Sequence, residues 1–122
     1  MAKWQNDLML DAALDYLTTN GTEYYVCSGA GAPADRAAAL AAALTANMSP
    51  TFSAKADGVV SGRRVTVQAE SGISVTADGT ATHLAICSAT ILLYVTTITS
   101  QAVTTGGTIN VPAWDAEIQD AA

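Results

Sequence analysis

Basic side chains are scarce in this chain of 122 residues, where five Lys and Arg stand against eleven Asp and Glu for a formal charge of −6. Phosphate backbones are held by clustered Lys and Arg, so this balance argues against nucleic acid and makes a basic protein surface the natural electrostatic partner. Aromatic bulk is also sparse. There is a single Phe, and much of the apolar half of the sequence is Ala and Val, so one thin core of small side chains is expected in one domain over residues 1–122. Such a fold gains from burying further surface against neighbours.

Long hydrophobic runs are missing too. No segment approaches the roughly 18 continuous apolar residues that cross a bilayer, and Met1-Ala2-Lys3-Trp4-Gln5-Asn6-Asp7 lacks the hydrophobic stretch of a secretory signal. Synthesis in a cytoplasm and no membrane partner are the expectations. Cysteine is limited to Cys27 and Cys87, which sit inside apolar β-like runs without Cys-x-x-Cys spacing, so both read as buried free thiols.

What is abundant is β pattern. From Ser61 to Ile118, short Val/Thr/Ile runs alternate with Ser-Gly, Asp-Gly and Gly-Gly punctuation. Arg63 to Ala69 alternates with Val65, Val67 and Ala69 inward and Arg64, Thr66 and Gln68 outward. Ser71-Gly72 reads as a turn into Ile73 to Ala77, and Asp78-Gly79 as a hairpin cue. Thr80 to Cys87 and Ile91 to Thr99 carry apolar residues on both faces, as central strands covered on two sides do. Thr108 to Ile118 closes the series, with Pro112 suited to an edge or bulge.

The β-rich part, about residues 50–118, follows two other segments. Asn6 caps a predicted helix over about residues 6–19 that stops at Asn20-Gly21. Met9, Leu10, Ala13, Leu14, Tyr16 and Leu17 share one side of it, and Asp7, Asp11 and Asp15 form a carboxylate stripe on the other. That stripe reads as a solvated face, or as a contact to a basic patch on a partner. Glu23 to Ser28 is a short strand, and Gly29-Ala30-Gly31 after it lacks the Lys-Ser/Thr of a phosphate loop. Residues 33–47 are alanine-rich and read as a second short helix behind Pro33, or as one turn followed by an extended arm. The expected fold is mainly β, a single antiparallel β-sandwich or jelly-roll-like domain with an N-terminal α-helix and a short Ala-rich helix or arm.

Residues able to carry chemistry are few. His83 is the one histidine, so a nucleophilic site would be built around it with Cys87 or Cys27. His83 and Cys87 share a strand face about 13 Å apart in extended chain, too far for a hydrogen bond, whereas Cys27 stays open on sequence alone. Asp115 and Glu117 fall on one face beside Trp114. Paired carboxylates can hydrolyse glycosides or bind Ca²⁺, but no walled aromatic cleft and no Asp-x-Asp-x-Asp loop accompany them. They read as the solvated or partner-facing side of an edge strand. Arg63-Arg64 is a basic pair with one member able to meet an acidic neighbour. No catalytic, metal or cofactor residues are assigned.

Pro50-Thr51-Phe52, Ala56-Asp57-Gly58, Ser61-Gly62-Arg63-Arg64-Val65-Thr66-Val67, Gly79-Thr80-Ala81-Thr82-His83-Leu84-Ala85, Leu92-Leu93-Tyr94-Val95-Thr96-Thr97 and Pro112-Ala113-Trp114-Asp115-Ala116-Glu117-Ile118 together resemble a family of small virion structural proteins of tailed bacteriophages. The likeness runs through most of the chain and departs in Arg36 to Asn47, which is richer in alanine. It implies a non-enzymatic head decoration or cement protein that binds the major capsid protein lattice or other virion proteins and forms homo-oligomers. A neck, collar or tail component, a carbohydrate- or receptor-binding module and a small hydrolase using His83 are the alternatives. The contact surfaces expected are the helix face around Tyr16, the Ala34 to Asn47 arm, Arg64, and the edge carrying Trp114, Asp115 and Glu117.

Overall fold

The computed structural model describes residues 7–29, 31–58 and 62–118. The chain is mainly β, with an N-terminal helix α1 (Asp7–Asn20), a strand β1 (Glu23–Ser28), a short helix α2 (Arg36–Ala42) and seven further strands. These are β2 (Ala56–Asp57), β3 (Arg63–Val67), β4 (Glu70–Ser74), β5 (Gly79–Cys87), β6 (Leu92–Val103), β7 (Thr108–Val111) and β8 (Trp114–Ile118). They form three antiparallel sheets in the orders β1-β5-β6, β2-β3-β8 and β4-β7. The expected Asn6 cap and the terminal Asp120-Ala121-Ala122 lie outside the described residues, as does the side chain of Asp7.

One apolar cluster is shared by all three sheets and by α1. Tyr24, Val26, Leu84 and Ile86 from β1 and β5 meet Val65, Val67 and Ala116 from β3 and β8, Ile109 and Val111 from β7, and Leu14 and Leu17 from α1. The opposite face of β1 and β5 carries Tyr25, Cys27, Ala85 and Cys87, which pack beneath Ala39 of α2. Period-two alternation therefore puts apolar residues on both faces of β1 and β5, and both faces are covered.

The alanine-rich segment combines both readings of it. Asp35 caps α2 by accepting the Ala38 N–H at 2.8 Å, which fixes the first turn. After Ala42 the chain extends alongside β1, where the Leu44 N–H donates to the Val26 carbonyl at 2.7 Å and the Met48 N–H to the Tyr24 carbonyl at 2.9 Å. Leu44 and Thr45 are buried there. The arm is thus stitched to the outer edge of β1, and that edge is closed.

Several local expectations are corrected by the pairing. Ser71-Gly72 is not a turn: it lies inside β4, where Gly72 takes φ 64° at an irregularity in the register with β7. Asp78-Gly79 does turn the chain, but β4 and β5 belong to different sheets, so it joins two sheets and makes no hairpin. There Asp78 accepts the Thr105 N–H at 2.6 Å, and that hydrogen bond holds its carboxyl below the usual range. Ala69 is exposed beyond the end of β3. β6 is the outer strand of its sheet and is only half-buried, whereas β5 is central. Pro112 falls between β7 and β8 at a crossing from one sheet to another.

Candidate functional site

His83 is the one histidine around which a nucleophilic site could form. The β1–β5 register sets Cys27 directly across from His83, the pairing left open by the sequence. The thiol is nevertheless turned away from nucleophilic work. It donates to the Ala39 carbonyl at 3.5 Å, is fully buried, and burial pushes its pKa up to about 11, so it stays protonated at neutral pH. The His83 Nδ1 lies 2.8 Å from the Thr82 hydroxyl, which also donates to the Gly29 carbonyl at 2.8 Å. Cys87 is a second free, buried thiol with its pKa raised by burial. Among the described residues, no three His, Cys, Asp or Glu side chains gather in a way that could hold a metal ion.

The described carboxylates of α1 are paired with basic side chains of the same chain. Arg63 Nε donates to Asp11 at 2.8 Å and Arg63 Nη1 to Asp57 at 2.8 Å, while Lys55 Nζ donates to Asp15 at 2.6 Å. The hydrogen bonds to Asp11 and then Asp57 raise the guanidinium pKa of Arg63. These pairs tie the helix to β3 and to the residue before β2; Asp11 is largely covered, whereas the Asp15 side chain stays 58% exposed. Leu10, Leu14 and Leu17 fill the contact with the core. Beside Asp15 the outward face carries large apolar side chains: Leu8 is 76% exposed, Met9 65% and Tyr16 54%. Met9, Ala13 and Tyr16, expected on the buried side, are therefore exposed. Six apolar positions span a wider arc than one sheet contact can cover.

Beside Tyr16 this face runs into an apolar cleft of about 200 Å³, walled by Ala13, Leu93, Tyr94 and Ile118. α1, β6 and β8 thus contribute to one continuous apolar surface. β6 adds an open edge. Its twelve residues, Leu92-Leu93-Tyr94-Val95-Thr96-Thr97-Ile98-Thr99-Ser100-Gln101-Ala102-Val103, contain no charge and no proline, and no described strand pairs with its outer side. Charged residues, prolines and short length are the usual guards of an exposed edge, and none is used here.

The other expected contact residues are engaged within the chain. Asp115 accepts from Arg64 Nη1 at 3.0 Å and from the Thr66 hydroxyl at 2.8 Å, so two of the expected interface residues bind one another across β3 and β8. Glu117, in register with Arg64, is half-buried. Trp114 donates its Nε1–H to the Tyr24 hydroxyl at 2.8 Å, and its ring lies 5.4 Å from that of Tyr94 at 36°. Tyr24 is fully buried, and burial pushes its pKa up to about 12. Tyr16 alone of the five keeps an outward side chain without such anchoring. The sequence signal for the open β6 edge was present in its lack of charge, but its position at the side of the sheet depends on pairings that are not local.

No protein-family model, curated protein or solved structure matches this chain. Among the described residues no helix is long and apolar enough to cross a membrane.

Proposed function

We propose that this chain is a structural protein of a tailed bacteriophage particle, a decoration or cement protein seated on the head lattice against the major capsid protein. The observation that carries the reading is the outward face of α1. Asp11 and Asp15 are spent on Arg63 and Lys55 of the same chain, and Leu8, Met9 and Tyr16 are left facing out beside an apolar cleft. An apolar patch of this kind on a helix, continuous with a cleft, marks a surface for another protein. The uncharged β6 edge supplies a second means of assembly, because an added strand gains main-chain hydrogen bonds whatever its sequence. Homo-oligomer formation through it follows the same logic.

The sheet of β1, β5 and β6 and the paired sheets of β2-β3-β8 and β4-β7 enclose one core, which supports a single sandwich-like domain. A small sandwich with two weak contact surfaces suits a lattice, where avidity multiplies interfaces too small to hold one copy. The charge of −6 suits a basic neighbour and disfavours nucleic acid. The reading includes no catalytic step, metal or cofactor, in keeping with a protonated Cys27 beside His83. Purified particles separated into heads and tails, with this chain identified by mass, test the proposal. Presence on heads, including empty ones, is the expected result. Confinement to tails or necks would replace decoration by a tail or collar role, and absence from particles would end the reading.

A further inference from the structure

A groove of about 410 Å³ lies between the C-terminal half of β6 and the corner where β7 passes into β8. Its volume is within the range of about 300–1,000 Å³ common for small-molecule sites. Its floor is apolar, formed by the buried Leu84 and Val111, and its walls carry Thr99, Ser100 and Gln101 on one side and Asn110, Pro112 and Trp114 on the other. Among the described residues, no ionisable side chain lines it.

Two residues of the second wall are held rigidly from behind. Asn110 Oδ1 accepts the Gly72 N–H at 2.8 Å, which fixes the amide and leaves its NH₂ as a donor. The irregularity at Gly72, with φ 64°, places that N–H where Asn110 meets it. Trp114 is locked by its bond to Tyr24 and by the ring of Tyr94. Opposite them, Thr99, Ser100 and Gln101 are exposed and their side chains make no hydrogen bond among the described residues. The groove therefore combines an anchored indole, an oriented amide donor and free hydroxyl and amide groups, with no charge.

We propose that this groove binds a neutral saccharide, one or two pyranose rings laid against Trp114 and Pro112. The ring hydroxyls would meet the Asn110 NH₂, the Gln101 amide and the hydroxyls of Thr99 and Ser100. Pyranose rings offer an apolar C–H face and a rim of neutral hydroxyls, which is the pattern these walls complement. The absence of a cation in the walls, in a chain of charge −6, selects against anionic sugars. This site is separate from the α1 face and stands or falls without the virion reading.

The test is a titration of the ¹⁵N-labelled chain, followed by NMR, with glucose, galactose, N-acetylglucosamine, maltose and lactose, and with sialic acid as the anionic control. Saturable shifts confined to residues 96–101 and 110–114 in the millimolar range are expected with at least one neutral sugar. Asn110→Asp keeps the acceptor for Gly72 and removes the donor, so it should weaken that sugar at least tenfold, about 1.4 kcal/mol. Gln101→Ala, at an exposed side chain that holds nothing in the fold, should weaken it severalfold and serves if the first variant does not fold. The proposal is overturned by no shift with any of the neutral sugars, by shifts mapping elsewhere, by sialic acid binding as well, or by unchanged affinity in a folded variant.

Discussion

β1 and β5 are covered on both faces, by the shared core on one side and by α2 on the other, whereas α1 is covered on one side only and β6 has an outer edge that no described strand pairs with. Both regions are built from apolar residues of similar kind. The difference is what lies beyond them. In the centre, each polar group that enters is matched, as with the Tyr24 hydroxyl and Trp114. At the rim, apolar side chains and an uncharged strand edge face outward, while Asp11 and Asp15 of the helix pair with Arg63 and Lys55 of the same chain. A central region so closed is suited to stability, and a rim so open to association.

The sharpest way to break this contrast is to cut into each region in turn. Ile86→Ala removes a fully buried side chain of β5 and should cost about 2–5 kcal/mol in urea denaturation. Met9→Ala with Tyr16→Ser on the rim should change stability by no more than about 0.5 kcal/mol each. Equal losses in the two regions would erase the distinction. Next in size, Trp114→Phe leaves the buried Tyr24 hydroxyl without its donor and should cost about 1–3 kcal/mol by the same assay.

The pH dependence of the centre is set by the same tyrosine. Burial pushes its folded pKa up to about 12, above the ordinary tyrosine value of 10.0, so the neutral form is favoured by folding. The contribution is fully present below pH 10 and is lost as pH rises from 10 towards 12, on the order of 2–3 kcal/mol in all. Alkaline unfolding midpoints followed by circular dichroism should fall across that window. A flat profile would mean that Tyr24 ionises freely and is not enclosed. Cys27 is read more simply: with its pKa near 11 and its thiol covered by α2, it should resist a thiol-reactive dye at pH 8 until the protein unfolds. Smallest of all, Arg63→Gln should loosen α1 from β3 and lower the urea midpoint slightly, and high salt should reduce the difference between the two proteins.

How far these regions were legible follows from which facts are local. The helix and its stop at Asn20-Gly21, the alternation of Val65 and Val67, and the double-faced apolar run of β5 were all visible because each is a periodicity within one segment. The Asp78-Gly79 turn was visible as a reversal, yet turn chemistry says nothing of which strand is met afterwards, and here the chain changes sheets. Ser71-Gly72 carries the same residues as a turn but serves as a strand irregularity, since the strand pairing with β7 continues on both sides of it. The pairing of Asp11 and Asp15 depended on Arg63 and Lys55, residues 52 and 40 positions away, and no helical wheel contains them. Arg64 and Asp115 were expected separately at contact surfaces, and the acidic neighbour of Arg64 is Asp115 of the same chain. The open edge of β6 could be recognised only from the strand order β1-β5-β6, which puts β5 and not β6 in the centre.

Oxidative footprinting of Met9 and Tyr16 in the free chain and in purified phage heads addresses the apolar rim most directly. In the free chain both side chains should be modified readily, and on heads both should be strongly protected while the fold of the isolated protein remains the same. Equal reactivity in the two states, or heads that lack the chain altogether, would contradict the account.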